Sequence, residues 1–184
     1  VYEPSQIKRY LVTDKSITFV NFDSSISRIY WQAGSHLGFI DIALSSIETY
    51  TSKFINVTRC FGSRHGCLIV QRDLRTLGVF IEGKESPLLL ESDIVDVSID
   101  SSSSSTSHGS FSLILKNGEI QFYNYSKSGI LRSQKKITQT GIGFEPLCFA
   151  LSGDLMATGF SNGVLLLYDG KNSSHVQTKL QNLR

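Results

Sequence analysis

Gly38, Gly78, Gly118 and Gly163 recur at intervals of 40, 40 and 45 residues. Each is followed by a short apolar run of strand character. The runs are Gly-Phe-Ile-Asp-Ile-Ala over 38–43, Gly-Val-Phe-Ile-Glu-Gly over 78–83, Gly-Glu-Ile-Gln-Phe-Tyr over 118–123 and Gly-Val-Leu-Leu-Leu-Tyr over 163–168. Self-similarity at a fixed period of this length means one structural unit used several times. Each unit then buries its apolar face against the next. The glycines are read as the residues that open one equivalent strand in each copy.

The strands of each copy follow from the turns around these runs. In the last copy, Asn162-Gly163 separates 155–160 from 164–168, and Asn-Gly between apolar runs is a hairpin signal. Upstream, 147–151 is an apolar run closed by Ser152-Gly153-Asp154, and 174–180 supplies a fourth strand. We label the four a, b, c and d. The third copy repeats the order with a over 94–99, b over 111–115, the turn Lys116-Asn117-Gly118, c over 119–125 and d over 130–137. In the second copy, b is 67–72, c is 77–82 and Pro87 opens a short last strand. In the first, a to d are 17–22, 27–33, 37–43 and 47–55. Ile40, Phe80, Ile120 and Leu165 stand two residues after the glycines, and Ile42, Glu82, Phe122 and Leu167 four after. Period 2 predicts one shared face for them. Glu82 breaks that pattern and is expected at a rim. The expected fold is all-β, a propeller of four-stranded antiparallel blades with about four present. Their extents are 17–55, 56–92, 94–137 and 145–180, and residues 1–13 end a preceding blade.

Composition narrows the class. Of 184 residues, 40% are hydrophobic and 18% charged, which is globular usage. A formal charge of +2 does not by itself suggest nucleic acid. Cys60, Cys67 and Cys148 are few and odd in number, which fits a reducing compartment better than a disulfide framework. No apolar run is long enough to span a bilayer, so no membrane insertion is expected. The opening Val-Tyr-Glu-Pro has neither an initiator Met nor a signal-peptide stretch, and the chain is expected to be a piece of something longer. The serine run 101–107 interrupts the third copy as a surface insertion. Asn56, Asn124 and Asn172 match a glycosylation pattern that a Ser/Thr-rich chain meets by chance.

The last copy, Phe149-Ala-Leu-Ser-Gly-Asp-Leu-Met-Ala-Thr-Gly-Phe-Ser-Asn-Gly-Val-Leu-Leu-Leu-Tyr-Asp169, resembles a WD40 repeat. Tyr168-Asp169 fall where that family's Trp-Asp dipeptide ends strand c, and Tyr123-Asn124 fall there in the third copy. Gly83-Lys84 and Ala43-Leu44 occupy the place in the other two, and the family's Gly-His before strand a is missing. His65-Gly66 and His108-Gly109 have the order reversed and precede strand b. The resemblance covers roughly the last 90 residues. It implies a partial propeller completed by further blades, since the family commonly closes a ring of seven.

Sites of chemistry were sought along the same map. Gly159-Phe-Ser161-Asn-Gly163 matches the Gly-x-Ser-x-Gly elbow, but that chemistry needs Ser on a strand-to-helix turn and a strand follows here. Cys60, His65 and Cys67 lie close in sequence, yet structural zinc wants a second pair of ligands that is missing. His36 and His175 are isolated. Asp93, Asp96 and Asp100 flank or line one strand without a partner cluster. No catalytic, cofactor-binding or metal-binding residue is assigned, and no cofactor is expected. Lys127, Arg132, Lys135 and Lys136 form a basic stretch around strand d of the third copy. Lys protects such an edge strand from pairing. Trp31, the sole tryptophan, falls in a strand b and is expected in the core.

The expected function is a non-enzymatic protein–protein interaction scaffold, a WD-repeat subunit of a larger multi-protein assembly. Its b–c loops (34–37, 73–77, 116–117 and 161–162) and its d-to-a connections would line one face. Its partners are other proteins, with particular contact residues unassigned. Nucleic acid is the less favoured partner. A particle for RNA processing or ribosome assembly, and a cytoskeletal or ciliary propeller, are the alternatives. A cytoplasmic location is expected, with nucleus or nucleolus and cytoskeleton or cilium as alternatives.

Overall fold

Short alternating runs separated by tight turns cannot build helices, and they form antiparallel meanders instead. The structure is a computed structural model describing residues 13–51, 57–82, 84–100, 108–138, 143–169 and 174–179. Among them are sixteen strands in four sheets and no helix. The first sheet holds β1 (Phe19–Asp23), β2 (Arg28–Ala33), β3 (His36–Asp41) and β4 (Ser46–Thr51). The second holds β5 (Arg59–Arg64), β6 (Cys67–Gln71), β7 (Thr76–Ile81) and β8 (Lys84–Leu89). The third holds β9 (Ile94–Ile99), β10 (His108–Leu115), β11 (Glu119–Ser126) and β12 (Gly129–Thr138). The fourth holds β13 (Pro146–Ser152), β14 (Leu155–Phe160), β15 (Val164–Asp169) and β16 (Ser174–Lys179). Every sheet pairs its strands in chain order. The first strands β1, β5, β9 and β13 are neighbours along the inner wall of an arc.

Three of these strands differ from the sequence reading. β10 starts at His108, so His108-Gly109 lie within it rather than before it. β5 was not foreseen, because Arg-Cys-Phe-Gly-Ser-Arg has little alternation and Gly62 interrupts it. Gly62 has φ of 123° at a register shift between Cys60 and Gly62, a bulge that only glycine accommodates easily. Pro87 does not open β8 but stands within it, opposite Gly78. β8 is the outer strand of its sheet, so a missing N–H costs no ladder bond. The serine run 101–107 lies outside the described residues.

The core consists of the seams between successive blades. Tyr30, Leu37 and Phe39 of the first blade meet Leu68, Val70 and Phe80 of the second. The opposite face of the second, with Ile69, Leu77 and Val79, packs on Phe111, Leu113 and Tyr123 of the third. Phe111 and Tyr123 stack there at 5.0 Å. Ile114 and Ile120 on the third blade's other face meet Phe149 and Met156 of the fourth. Each inner blade therefore buries both faces, one forward and one rearward. On the rear face of the first blade Val20, Phe22 and Ile47 are exposed, and so are Leu155 and Leu167 on the forward face of the fourth.

The four glycines do not share one structural place. Gly118 and Gly163 lie in the turns before β11 and β15, with φ of 80° and 78°. Their N–H groups bond back to Leu115 and Phe160. Asn117 and Asn162 keep negative φ, so each loop is a β-turn followed by a left-handed glycine rather than a two-residue hairpin. Gly38 and Gly78 instead sit inside β3 and β7. The offset is odd, and period 2 then reverses the faces. Ile40 and Phe80 point rearward, whereas Ile120 packs forward on the fourth blade and Leu165 faces away from the third.

Gly38 and Gly78 have a different duty, which is to let something large cross the strand. The Trp31 indole lies directly over Gly38, its register partner, and is only 2% exposed. Over Gly78 the crossing group is the buried ion pair Arg72–Glu85. A Cβ at either glycine would collide with these groups. Trp31 is thus a core residue, as its place in strand b predicts.

Candidate interaction surface

The b–c turns and the described residues of the connections from strand d to the next strand a gather at one end of the blades. The b–c turns fall where the sequence reading puts them, except that His36 and Leu37 belong to β3 and Thr76 and Leu77 to β7. What the sequence concealed is how firmly they are tied together. In the first blade, Thr18 donates its N–H to the Gln32 carbonyl at 2.8 Å and its hydroxyl to the same oxygen at 3.4 Å. The Gln32 amide then donates to the Gly34 carbonyl at 3.0 Å. The second blade repeats the device. Thr58 donates N–H and hydroxyl to the Gln71 carbonyl at 2.8 and 3.1 Å, and Gln71 donates to the Asp73 carbonyl at 2.9 Å. A Thr leading into strand a and a Gln near the end of strand b therefore mark the first two blades.

The later connections are pinned by backbone bonds and ion pairs. Leu90 N–H donates to the Arg75 carbonyl and Ile94 N–H to the Leu74 carbonyl, at 2.9 and 2.7 Å. The Arg75 guanidinium meets Asp93 at 2.9 Å. Asp73 caps the same turn, and the Arg75 N–H, at 2.8 Å, is the main cause that holds its carboxyl below the usual range. Next along, Lys116 N–H donates to the Asp93 carbonyl at 2.8 Å, and its ammonium lies 3.4 Å from Glu145. Ser161 N–H closes the series on the Glu145 carbonyl at 3.0 Å. Between these ties stand exposed apolar side chains: Leu74 at 64%, Phe144 at 52% and Leu147 at 60%. Leu89, at the end of β8, joins them on the rim.

The residues weighed for chemistry fall as follows. Ser161 sits in the β14–β15 turn, with strands on both sides, so the elbow geometry is not formed. Cys60 packs with Phe80 and Val70 toward the first blade, whereas Cys67 faces the third. The two thiols and His65 therefore do not converge. Among the described residues no group of three potential ligands could hold a metal ion. Burial pushes the Cys60 thiol up to about 12 and raises that of Cys67 as well. His36 begins β3, with its Nδ1 3.2 Å from the Lys15 ammonium.

Asp93, Asp96 and Asp100 each have a structural partner. Asp93 binds Arg75, Asp96 accepts the Phe149 N–H at 3.0 Å, and Asp100 accepts the Gly153 N–H at 3.4 Å. Glu82 lies at the rim in a c–d turn and pairs with Lys127 at 2.7 Å. Arg132, Lys135 and Lys136 belong to the outer strand β12, and their side chains lie outside those described. So does that of His175 in β16, while Asn56 and Asn172 fall outside the described residues altogether. Asn124 is exposed on β11. No helix among the described residues is long and apolar enough to cross a membrane.

Comparison with known proteins places this architecture. No family model matches the chain, and no curated protein matches it in sequence. Solved structures match in shape. The Cps50 (Swd1) β-propeller domain of Myceliophteria thermophila superposes with a TM-score of 0.65 at 12% identity, over 97% of this chain and 59% of that one. Hsv2p of Kluyveromyces lactis gives 0.62 at 11% identity, over 94% of this chain and 60% of that one. BBS1N, solved in complex with ARL6DN, gives 0.55 at 12% identity, over 83% and 49%. The chain thus spans about half to three fifths of the solved chains it matches. Four sheets stacked by their faces, with first strands on the inner wall, have the fold of a β-propeller, here an arc of about four blades.

Proposed function

We propose that this chain is a non-enzymatic protein–protein interaction scaffold, acting as part of a propeller subunit in a larger multi-protein assembly in the cytoplasm. The observation that carries this reading is the pinned face bearing Leu74, Phe144 and Leu147. Side chains held on fixed loops lose little freedom when a partner docks, which favours binding. Exposed apolar groups ringed by polar ones are the usual form of a protein contact. A similar propeller, BBS1N, was solved with a protein bound. The exposed apolar faces at the two ends of the arc support a larger ring to which these blades contribute.

The test is affinity purification of the full-length protein beside a variant with Leu74, Phe144 and Leu147 each changed to Glu. Specific partners kept by the native protein and lost by an equally stable variant support this face. Retention of the same partners by the variant overturns it.

A further inference from the structure

An imidazole occupies the corner where the first three blades meet. His65 lies in the turn between β5 and β6 with φ of 50°, a left-handed conformation that costs a non-glycine residue about 1–2 kcal/mol. Its two neighbours are anchored to different blades. Tyr125 of the third blade donates its hydroxyl to the Arg64 carbonyl at 2.9 Å. Gly66 donates its N–H to Asp23 of the first blade at 3.1 Å. His65 thus stands between one tie to the first blade and one to the third. The residue as a whole is only half-buried, yet both ring nitrogens are closed off from solvent with no hydrogen-bond partner among the described residues.

The groups around it decide what a proton would do there. Asp23 faces it from the first blade and Arg64 from its own strand. The Cys67 thiol begins the next strand, and the Tyr125 phenol reaches in from the third blade. The Asp23 carboxylate is already engaged by the N–H and hydroxyl of Ser25 and by Gly66 N–H. The neutral ring fits this enclosure, whereas an imidazolium brings two N–H donors that need acceptors. Burial lowers the proton affinity of His65, Asp23 opposes that, and Arg64 adds to it.

We infer that His65 is an acid-released latch: protonation expels the ring from the corner and loosens the Asp23–Gly66 tie between the first and second blades. A histidine whose affinity for protons is lower when folded stabilises the closed corner fully above the ordinary imidazole range. That stability is lost as pH falls through the range, because the open form takes up the proton first. The consequence is a seam whose opening follows pH near neutrality without any change in the core.

Hydrogen exchange of the amides from 64 to 68 tests this, at about pH 7.5 and about pH 5.5, with His65→Phe measured at each pH as reference. The ratio of native to variant exchange should rise by up to about tenfold between the two conditions, the most one proton on an ordinary imidazole supplies. An unchanged ratio overturns the latch. If His65→Phe does not fold, His65→Gln serves as reference. The imidazole of the native protein is also titrated directly by NMR. A midpoint below the ordinary value of about 6.5 supports the latch, and one at or above it overturns it.

Discussion

Asp96 on β9 accepts the backbone N–H of Phe149 on β13 at 3.0 Å, so a side chain of one blade completes the backbone of the next. Ser98 does the same for Leu151 at 3.0 Å, and Asp100 for Gly153 at 3.4 Å. Three residues at period 2 thus form a short side-chain ladder along the inner seam. An inner strand has a free edge, and these groups supply acceptors that no neighbouring strand provides. Asp96→Ala should cost about 1–3 kcal/mol, because it strands a half-buried N–H. Asp96→Asn keeps a carbonyl acceptor and should recover most of the loss. Urea midpoints measure both, and an unshifted midpoint for Asp96→Ala contradicts the seam's importance.

Gly38→Ala and Gly78→Ala should each destabilise by about 1–3 kcal/mol, as overpacking a filled site does. The new methyl would meet the Trp31 indole in one and the Arg72–Glu85 pair in the other. Gly34→Ala is the contrasting case. It has φ of 61° and open space around it, so only the left-handed backbone cost of about 1–2 kcal/mol applies. Replacing Trp31 by Leu together with Gly38→Ala should relieve part of the first clash. Double-mutant unfolding separates these terms.

Thiol reactivity should divide the three cysteines. Cys148 is exposed, whereas Cys67 is buried and Cys60 half-buried with its thiol pushed up to about 12. The thiolate is the reactive form, so only Cys148 should react quickly with an aromatic disulfide at about pH 8. All three should react in denaturant. Two fast thiols in the native protein would show that a blade seam opens readily.

Acid should weaken the rim turns. Asp41 accepts the Leu44 N–H at 3.0 Å and the Arg28 guanidinium at 3.2 Å. The Leu44 bond first, and Arg28 after it, hold its carboxyl below the usual range. Asp73 is held down in the same direction, chiefly by the Arg75 N–H. A carboxyl lowered by folding contributes stability above its unfolded value of about 3.9, and loses it as pH falls below. Asp41→Asn and Asp73→Asn should therefore flatten the fall in thermal midpoint between about pH 5 and about pH 3. Parallel curves for variant and native protein would rule this out.

The strands of the third and fourth blades were legible because their Asn-Gly turns and alternating runs are local signals. β9 was readable as Ile94–Ile99 to the residue. The glycine spacing was legible as repetition but not as register, since turn glycines and strand glycines look alike in sequence. What tells them apart is the group crossing Gly38 or Gly78, and that group comes from another strand. β5 was hidden by its bulge. The Thr-and-Gln device of the first two blades was hidden by its spacing, because Thr18 and Gln32 meet only once the hairpin has folded. For the seam acids a sequence signal did exist: Asp96, Ser98 and Asp100 alternate along one strand, which puts them on one face. The exposed residues of the interaction face carried none, since an apolar residue in a turn reads no differently from one in a core.

Asp23 reaches Gly66, and Asp100 reaches Gly153; in both cases the acid lies on the earlier blade and the amide on the later one. The order has a meaning for a chain synthesised from its N-terminus. The completed first and third blades show the growing edge as carboxylates, which water solvates well. The bare N–H groups arrive only with the blade that covers them. At these two seams a nascent arc is guarded by the same charges that later fasten its next blade.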